Sequence, residues 1–131
     1  MSKRFLLIED DPSCEAILSR ILCSIDPNAI IDSEESAEQA IEMLERSTET
    51  RGGGYDLIVA DIFLSGKITG LEFWERFRDR HPNIPILFVS ALPVNRFFDS
   101  IGRDTIAPAF LPKPFYAGEA KQIIEGLLTY H

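Results

Sequence analysis

The sequence predicts an α/β fold built on a parallel sheet. Short apolar runs alternate five times with segments whose apolar residues recur at helical spacing, which is typical of strands joined by crossover helices. The apolar runs are continuous, which indicates strands that are covered on both faces, as in a parallel sheet. The predicted strands are Phe5–Ile8, Ala29–Ile31, Leu57–Ala60, Ile86–Val89 and Ala109–Leu111.

Four helices are predicted from apolar stripes at helical spacing. One further helix, the fourth in chain order, is expected between Ala91 and Ile106. It should be short or irregular because Pro93 and Gly102 bracket a stretch of weak periodicity. The stripes are Ile17, Leu18, Ile21, Leu22 and Ile25; Ala37, Ala40, Ile41 and Leu44; Leu71, Trp74 and Phe77; and Ala120, Ile123, Ile124, Leu127 and Leu128.

Composition favours one domain and argues against several functions. The 131 residues are 45% hydrophobic, so we expect a single domain over residues 1–131. With 13 basic and 21 acidic residues the formal charge is -8, which opposes direct binding of nucleic acid or of an anionic membrane. No apolar run reaches the roughly 20 residues that span a bilayer, and the first apolar run is too short for a signal peptide. We therefore expect a cytoplasmic protein.

The cysteines, histidines and glycines do not form a recognisable metal-binding, redox or phosphate-binding motif. Cys14 and Cys23 lack zinc or redox spacing, and we expect both to be small buried residues on one helix. His81 and His131 are expected at the surface. The glycine-rich segment 51–54 lacks the Lys-Ser/Thr ending of a phosphate-binding loop, so it is expected to be a connector.

The unusual polar residues follow the predicted strands. Ligands of open α/β sheets bind beyond the carboxyl ends of the strands, so these side chains are expected to meet at one edge. They are Glu9, Asp10 and Asp11 after the first strand, Asp61 after the third, Ser90 after the fourth and Lys113 after the fifth.

Clustered carboxylates repel one another, and a hard cation such as Mg²⁺ can neutralise that repulsion. The carboxylates at this edge therefore predict a Mg²⁺ site. An aspartate beside such a cation can act as a nucleophile and form a mixed anhydride with phosphate. Lys113 would offset charge on a transferring phosphoryl group, and the Ser90 hydroxyl would donate a hydrogen bond.

At this point the sequence resembles the receiver domains of two-component response regulators over essentially its whole length. Four fragments carry the resemblance: FLLIEDDP at 5–12, LIVAD at 57–61, FVSA at 88–91 and FLPKPF at 110–115. Their order and spacing together are highly specific. The resemblance implies a flavodoxin-like, doubly wound, five-stranded parallel sheet with strand order 2-1-3-4-5 and helices on both faces.

The resemblance also implies a role for each matching residue. Asp61 would be phosphorylated by transfer from a phosphohistidine of a sensor histidine kinase or phosphotransfer protein. Mg²⁺ would be bound by Asp10, by Asp61, by the backbone carbonyl of Phe63, and by Glu9 through water. The residues expected to bind phosphoryl oxygens are Ser90 and Lys113, the expected switch residues are Ser90 and Phe110, and the expected cis peptide is Lys113-Pro114.

Such a domain catalyses only its own phosphorylation and dephosphorylation and signals by protein contact. We expect the contact face for an unknown downstream protein at the fourth helix, fifth strand and fifth helix, near Phe97 and Phe98. A homodimer is left open. Because the domain uses all 131 residues, no effector is expected within this chain, which either works alone or is a piece of a longer protein.

For Asp11 and Phe110, the sequence allows a structural role as well as a functional one. Asp11 precedes Pro12 and therefore fits the N-cap of the first helix as well as a metal ligand. Phe110 lies in an apolar run and fits core packing as well as a switch.

The sequence departs from the family beside Asp61. Ser65 replaces the usual proline, and Gly70 comes one position later than the family's glycine, which suggests one inserted residue. Two further positions tune the lifetime of the phosphoryl group in the family, and here both are apolar, Phe63 and Leu92. Neither side chain can orient an attacking water by hydrogen bonding, and both can shield the acyl phosphate from solvent. We therefore predict slow self-dephosphorylation.

Two rival functions remain. The altered loop after Asp61 suits a receiver-like interaction module that is not phosphorylated. A phosphatase of the haloacid dehalogenase type also uses a strand-end aspartate with Mg²⁺, but it needs a second aspartate where this chain has Phe63.

Overall fold

Five parallel strands form one sheet in the computed structural model, which describes residues 2–49, 54–101 and 107–130. The strand order is β2-β1-β3-β4-β5, and each neighbouring pair is parallel. The predicted fold class and strand order are confirmed. The strands are β1 (Arg4–Ile8), β2 (Ile30–Glu34), β3 (Leu57–Ala60), β4 (Ile86–Ser90) and β5 (Ala109–Pro112).

Five helices within the described ranges cover both faces of this sheet. Helices α1 and α5 pack on one face, while α2, α3 and α4 pack on the other. The helices are α1 (Pro12–Ile25), α2 (Ala37–Glu49), α3 (Gly70–Phe77), α4 (Val94–Ser100) and α5 (Ala117–Tyr130).

The core is divided by the sheet because successive side chains of a strand point to opposite faces. In β1, Phe5 and Leu7 pack beneath α1 and α5, whereas Leu6 and Ile8 pack beneath α2 and α3. All four are fully buried. Burial of each such side chain contributes about 1.5–3 kcal/mol to folding, so β1 is fixed from both sides and holds the residues that follow it.

The second strand differs from the prediction. It begins at Ile30 and continues through polar residues to Glu34, and Ile30 is half exposed. The expectation that every strand is covered on both faces is therefore wrong for β2. As an edge strand it pairs only with β1, so polar side chains can reach solvent beside it.

The predicted apolar stripes of the helices are mostly buried, but two residues of α1 that were predicted to be buried are exposed. Ile17 and Cys23 face solvent, because the buried face is formed by Cys14, Leu18, Ile21 and Leu22. The prediction that both cysteines are buried is thus wrong for Cys23. Missing from the predicted α3 stripe is Phe73, which is fully buried.

The fourth helix is short, as predicted, and Pro93 stands at its N-cap without a side-chain hydrogen bond. The ring of His81 lies beside Phe77 and the residue is only partly exposed. Residues 51–53 of the predicted connector, Gly102 and His131 lie outside the described residues. Within the described ranges, every helix falls short of the length and apolar character needed to cross a bilayer.

Candidate functional site

The sheet order brings the predicted polar residues to one edge. Strands β1 and β3 are neighbours, with Ile8 beside Ala60, so Glu9 and Asp61 emerge side by side. The Asp61 backbone N–H donates to the carbonyl of Ile8 at 3.0 Å, and the Glu9 N–H donates to that of Glu34 at 3.0 Å. Backbone hydrogen bonds thus fix where both acidic side chains start.

Three carboxylates converge at this edge. One oxygen from each of Glu9, Asp10 and Asp61 lies within 4.8 Å of the other two. Glu9 is 3% exposed and Asp61 is 7% exposed, while Asp10 faces solvent. Burying carboxylates this close together costs free energy unless positive charge compensates them.

Lys113 supplies part of that positive charge. Its Nζ donates to Glu9 Oε1 at 2.6 Å and to Asp61 Oδ2 at 3.0 Å. Burial alone would lower the pKa of Lys113, but the hydrogen bonds to Glu9 and Asp61 and the attraction of both charges outweigh it and raise the pKa. The lysine is therefore held charged. The peptide bond between Lys113 and Pro114 is cis, as expected.

The residues present fit a divalent cation. Three carboxylates and one ammonium leave a net charge of -2, which is -3 plus +1. Hard cations such as Mg²⁺ prefer a few carboxylate oxygens together with water and phosphate oxygens. The exposed Asp10 leaves one side of the cluster open to such ligands.

Asp11 is the N-cap of α1. Its Oδ1 accepts a hydrogen bond from the Ser13 N–H at 3.0 Å, and Pro12 occupies the first turn. The Asp11 N–H in turn donates to Glu9 Oε2 at 3.3 Å. Asp11 therefore caps the helix with its side chain and supports the Glu9 carboxylate with its backbone.

Ser90 is fully buried at the end of β4. Its Oγ accepts from the Leu92 N–H at 3.3 Å, and its carbonyl accepts from the Lys113 N–H at 2.8 Å. Among the described residues, no hydrogen bond joins Ser90 Oγ to Asp61 or to the Lys113 ammonium. Ser90 is thus linked to the lysine through the backbone alone.

Phe63 touches the site through its backbone. Its N–H donates to Asp61 Oδ1 at 3.2 Å, so both Asp61 oxygens have a donor. The Phe63 side chain is 55% exposed.

Phe110 is partly buried and stacks on Phe97, with ring centroids 4.4 Å apart. Phe97 is fully buried and contacts Phe88 and Phe98. Phe110 therefore packs against the core and also connects β5 to α4.

Two residues that lie at the site, Cys14 and Gly70, were not predicted from the sequence to be site residues. Burial, together with the neighbouring Glu9 carboxylate, raises the pKa of the Cys14 thiol to about 12, so this thiol is unreactive. A Cβ at Gly70 would lie 2.2 Å from the Asp61 carbonyl oxygen, so only glycine fits there. The position of Gly70 after Asp61 was the available signal, whereas nothing in the sequence marks Cys14 as a neighbour of Glu9.

Comparisons with known proteins identify relatives of this chain. The chain is 32% identical over 117 residues to the transcriptional regulatory protein TcrA of Mycobacterium tuberculosis, covering 88% of this chain and 42% of that protein. It is 29% identical over 99 residues to the transcriptional regulatory protein ComA of Bacillus subtilis, covering 74% and 43%. The chain thus spans less than half the length of these curated relatives.

A solved structure shows the same fold. The non-phosphorylated HemR receiver domain from Leptospira biflexa superposes with a TM-score of 0.75 at 22% identity, covering 99% of this chain and 97% of that one. The family model for the response regulator receiver domain matches residues 5–125. The chain therefore belongs to the receiver domains of two-component response regulators, with acidic residues clustered as in a phosphoacceptor site.

Proposed function

We propose that Asp61 accepts a phosphoryl group from the phosphohistidine of a sensor histidine kinase or phosphotransfer protein. The observation that supports this most strongly is the convergence of Glu9, Asp10 and Asp61 within 4.8 Å, with the Lys113 ammonium 3.0 Å from Asp61 Oδ2. Family membership makes a kinase or phosphotransfer protein the natural donor.

In the transfer, an Asp61 carboxylate oxygen forms a bond to phosphorus while the phosphorus–nitrogen bond of the donor breaks. The departing imidazole takes up a proton and leaves as neutral histidine. Lys113 Nζ is placed beside the attacking carboxylate, where its charge can bind an oxygen of the transferring group. The Phe63 N–H orients the other carboxylate oxygen.

Mg²⁺ would be held by Asp10, Asp61 and the backbone carbonyl of Phe63, with Glu9 assisting through water. When bound, the cation neutralises charge on the transferring phosphoryl group. Asp11 is the weaker candidate, because its side chain already caps α1.

Ser90 and Phe110 would carry the response. The Ser90 hydroxyl accepts a hydrogen bond but has no acceptor of its own among the described residues, so it can donate to a phosphoryl oxygen. Moving Ser90 inward would shift an existing equilibrium at the contact between Phe110 and Phe97. The proposed output face is α4, β5 and α5, where Phe98 is half exposed.

We propose that this face binds a downstream protein, with a second copy of the chain as a further possible partner. The net charge of -8 argues against direct contact with nucleic acid or an anionic membrane by this domain. The longer relatives are named transcriptional regulatory proteins, and this chain spans less than half of each. We propose a cytoplasmic location for this protein, which is compatible with phosphoryl transfer from a histidine kinase.

A phosphorylation assay tests the proposal. Purified protein is incubated with Mg²⁺ and acetyl phosphate, and its intact mass is followed with time. We expect the addition of one phosphoryl group to the natural chain and to Asp56→Asn, and none to Asp61→Asn. Asp56 is a matched control because it is an exposed aspartate at the opposite end of β3.

Failure of the natural chain to gain a phosphoryl group or to bind beryllium fluoride with Mg²⁺ would overturn the proposal. That result would favour a receiver-like interaction module that is not phosphorylated. Sustained phosphatase turnover on a generic substrate would instead favour a hydrolase.

A further inference from the structure

The loop between β3 and α3, residues 61–69, is fastened to the start of α2. Ser65 forms a parallel β-bridge with Ser36. The Ser65 hydroxyl also donates to the carbonyl of Glu35 at 3.1 Å, and the Lys67 N–H donates to Glu38 Oε2 at 2.9 Å. Three contacts therefore join the middle of this loop to a short stretch at the N-terminus of α2.

The carboxylate of Glu38 fits closely against the loop backbone. Gly66 has a φ of 99°, and a Cβ there would lie 2.7 Å from Glu38 Oε2 and 2.9 Å from Oε1. The positive φ favours glycine, and a side chain at this position would displace the Glu38 carboxylate from its contact. Glu38 Oε1 is sealed from solvent and has no hydrogen-bond partner among the described residues.

The surrounding backbone favours the charged form of Glu38. The Lys67 N–H and the N–H of Glu38 itself, with a smaller contribution from the Ile68 N–H, hold the pKa of this carboxyl below its ordinary value. The carboxylate thus acts as the acceptor around which the loop turns.

Both ends of the same loop belong to the phosphoacceptor site. The loop starts at Asp61 and Phe63, and it returns to the site where the Gly70 N–H donates to the Ile62 carbonyl at 2.9 Å. Thr69 caps α3 at that point through a reciprocal capping box with Glu72. With both ends fixed, the contact at Glu38 determines the path of the residues between them.

We infer that Glu38 is a positioning residue, which holds the β3–α3 loop so that Phe63 presents its backbone to Asp61 and to the metal. This inference rests on the proposed function. As the sequence resemblance indicates, Ser65 stands where the family usually has a proline, and the later position of Gly70 suggests one inserted residue. The contacts to Glu38 and Glu35 restrict the backbone in the proline's place.

Three variants test the inference: Glu38→Ala, Glu38→Gln and, as a matched control, Glu42→Ala. Glu42 is an exposed glutamate one turn further along α2, so its removal subtracts the same charge without touching the loop. Glutamine at position 38 removes the charge but keeps one acceptor oxygen. Calorimetry measures the Mg²⁺ dissociation constant, and hydrogen exchange of the Lys67 amide measures the contact itself.

We expect Glu38→Ala to weaken Mg²⁺ binding about tenfold, as is common when a residue that orients a metal ligand is lost. Glu38→Gln should fall between Glu38→Ala and the natural chain, and Glu42→Ala should match the natural chain. Lys67 amide exchange should accelerate in the same order. Gly66→Ala should also weaken Mg²⁺ binding, and by less when Glu38 is already alanine, since the clash is then removed.

Two results would overturn the inference. One is faster Lys67 exchange in Glu38→Ala with unchanged Mg²⁺ affinity and phosphoryl lifetime, which would make the contact purely structural. The other is unchanged Lys67 exchange, which would mean that the contact does not exist in solution. Failure of the proposed function is distinguished because the natural chain itself would then bind no Mg²⁺ and accept no phosphoryl group, and the inference would fall with it.

Discussion

Among the described residues, Lys113 is the one positively charged side chain that contacts the buried carboxylates of Glu9 and Asp61. Replacing Lys113 with methionine removes that charge. Methionine keeps a long apolar side chain but cannot donate to Glu9 Oε1 or Asp61 Oδ2. Both carboxylates remain at the end of the sheet, with side chains 1% and 8% exposed. They would then repel each other without compensation.

The expected loss in the free energy of unfolding is about 3 kcal/mol without Mg²⁺, the lower end of the range for breaking a buried ion pair. The lower end applies because the Lys113 side chain is 21% exposed and solvent screens part of the interaction. Saturating Mg²⁺ should restore part of the loss, because about tenfold tighter binding to the variant returns about 1.4 kcal/mol.

Urea unfolding with and without Mg²⁺ measures both effects. Lys121→Met is the matched control, since Lys121 is a partly buried lysine on α5 with no ion pair among the described residues. The pKa of Lys113 is raised by folding, so its contribution is complete below the ordinary lysine value of 10.5. The contribution is lost only as the pH rises through the higher folded-state pKa.

A loss no larger than that of Lys121→Met would refute this reasoning. So would an equal response of both variants to Mg²⁺, because the cation would then not replace the lysine's charge at this cluster.

Three further predictions concern other parts of the molecule. Gly70→Ala should lower the free energy of unfolding by about 3 kcal/mol in urea titrations, since its Cβ would meet the Asp61 backbone oxygen; a neutral result would contradict that packing. Tyr55→Phe should cost about 2 kcal/mol in the same assay because the Tyr55 hydroxyl donates to Asp32 at 2.6 Å, and a loss near zero would contradict this hydrogen bond. Exchanging Phe63 for Asn and Leu92 for Glu should shorten the phosphoryl lifetime about tenfold or more by positioning water, and an unchanged lifetime would contradict the shielding.

Much of the fold and site could be predicted because local pattern and topology agree. The apolar runs of β1, β3 and β4 are buried on both faces, so each identifies itself as a central strand. Parallel strands end at one edge, which is why Glu9, Asp61 and Lys113 meet although they are far apart in sequence.

The parts that could not be predicted depend on neighbours that the local pattern does not specify. The second strand extends through polar residues because it lies at the edge, which only the sheet order reveals. Cys23 and Ile17 sit on the solvent side of α1 because the packing against α5 selects one face among several apolar positions. The contact between Glu38 and Lys67 joins two separate segments through a side chain and a backbone amide, and a backbone amide carries no sequence signal.

The most direct test locates the phosphoryl group itself. The natural chain is treated with acetyl phosphate and Mg²⁺, reduced with borohydride to convert an aspartyl phosphate to homoserine, and sequenced by mass spectrometry. We expect homoserine at position 61, and none when Mg²⁺ is withheld. Homoserine at another aspartate, or at no position, would contradict the claim that the carboxylates that follow β1 and β3 and the lysine that follows β5 together make Asp61 the phosphoacceptor.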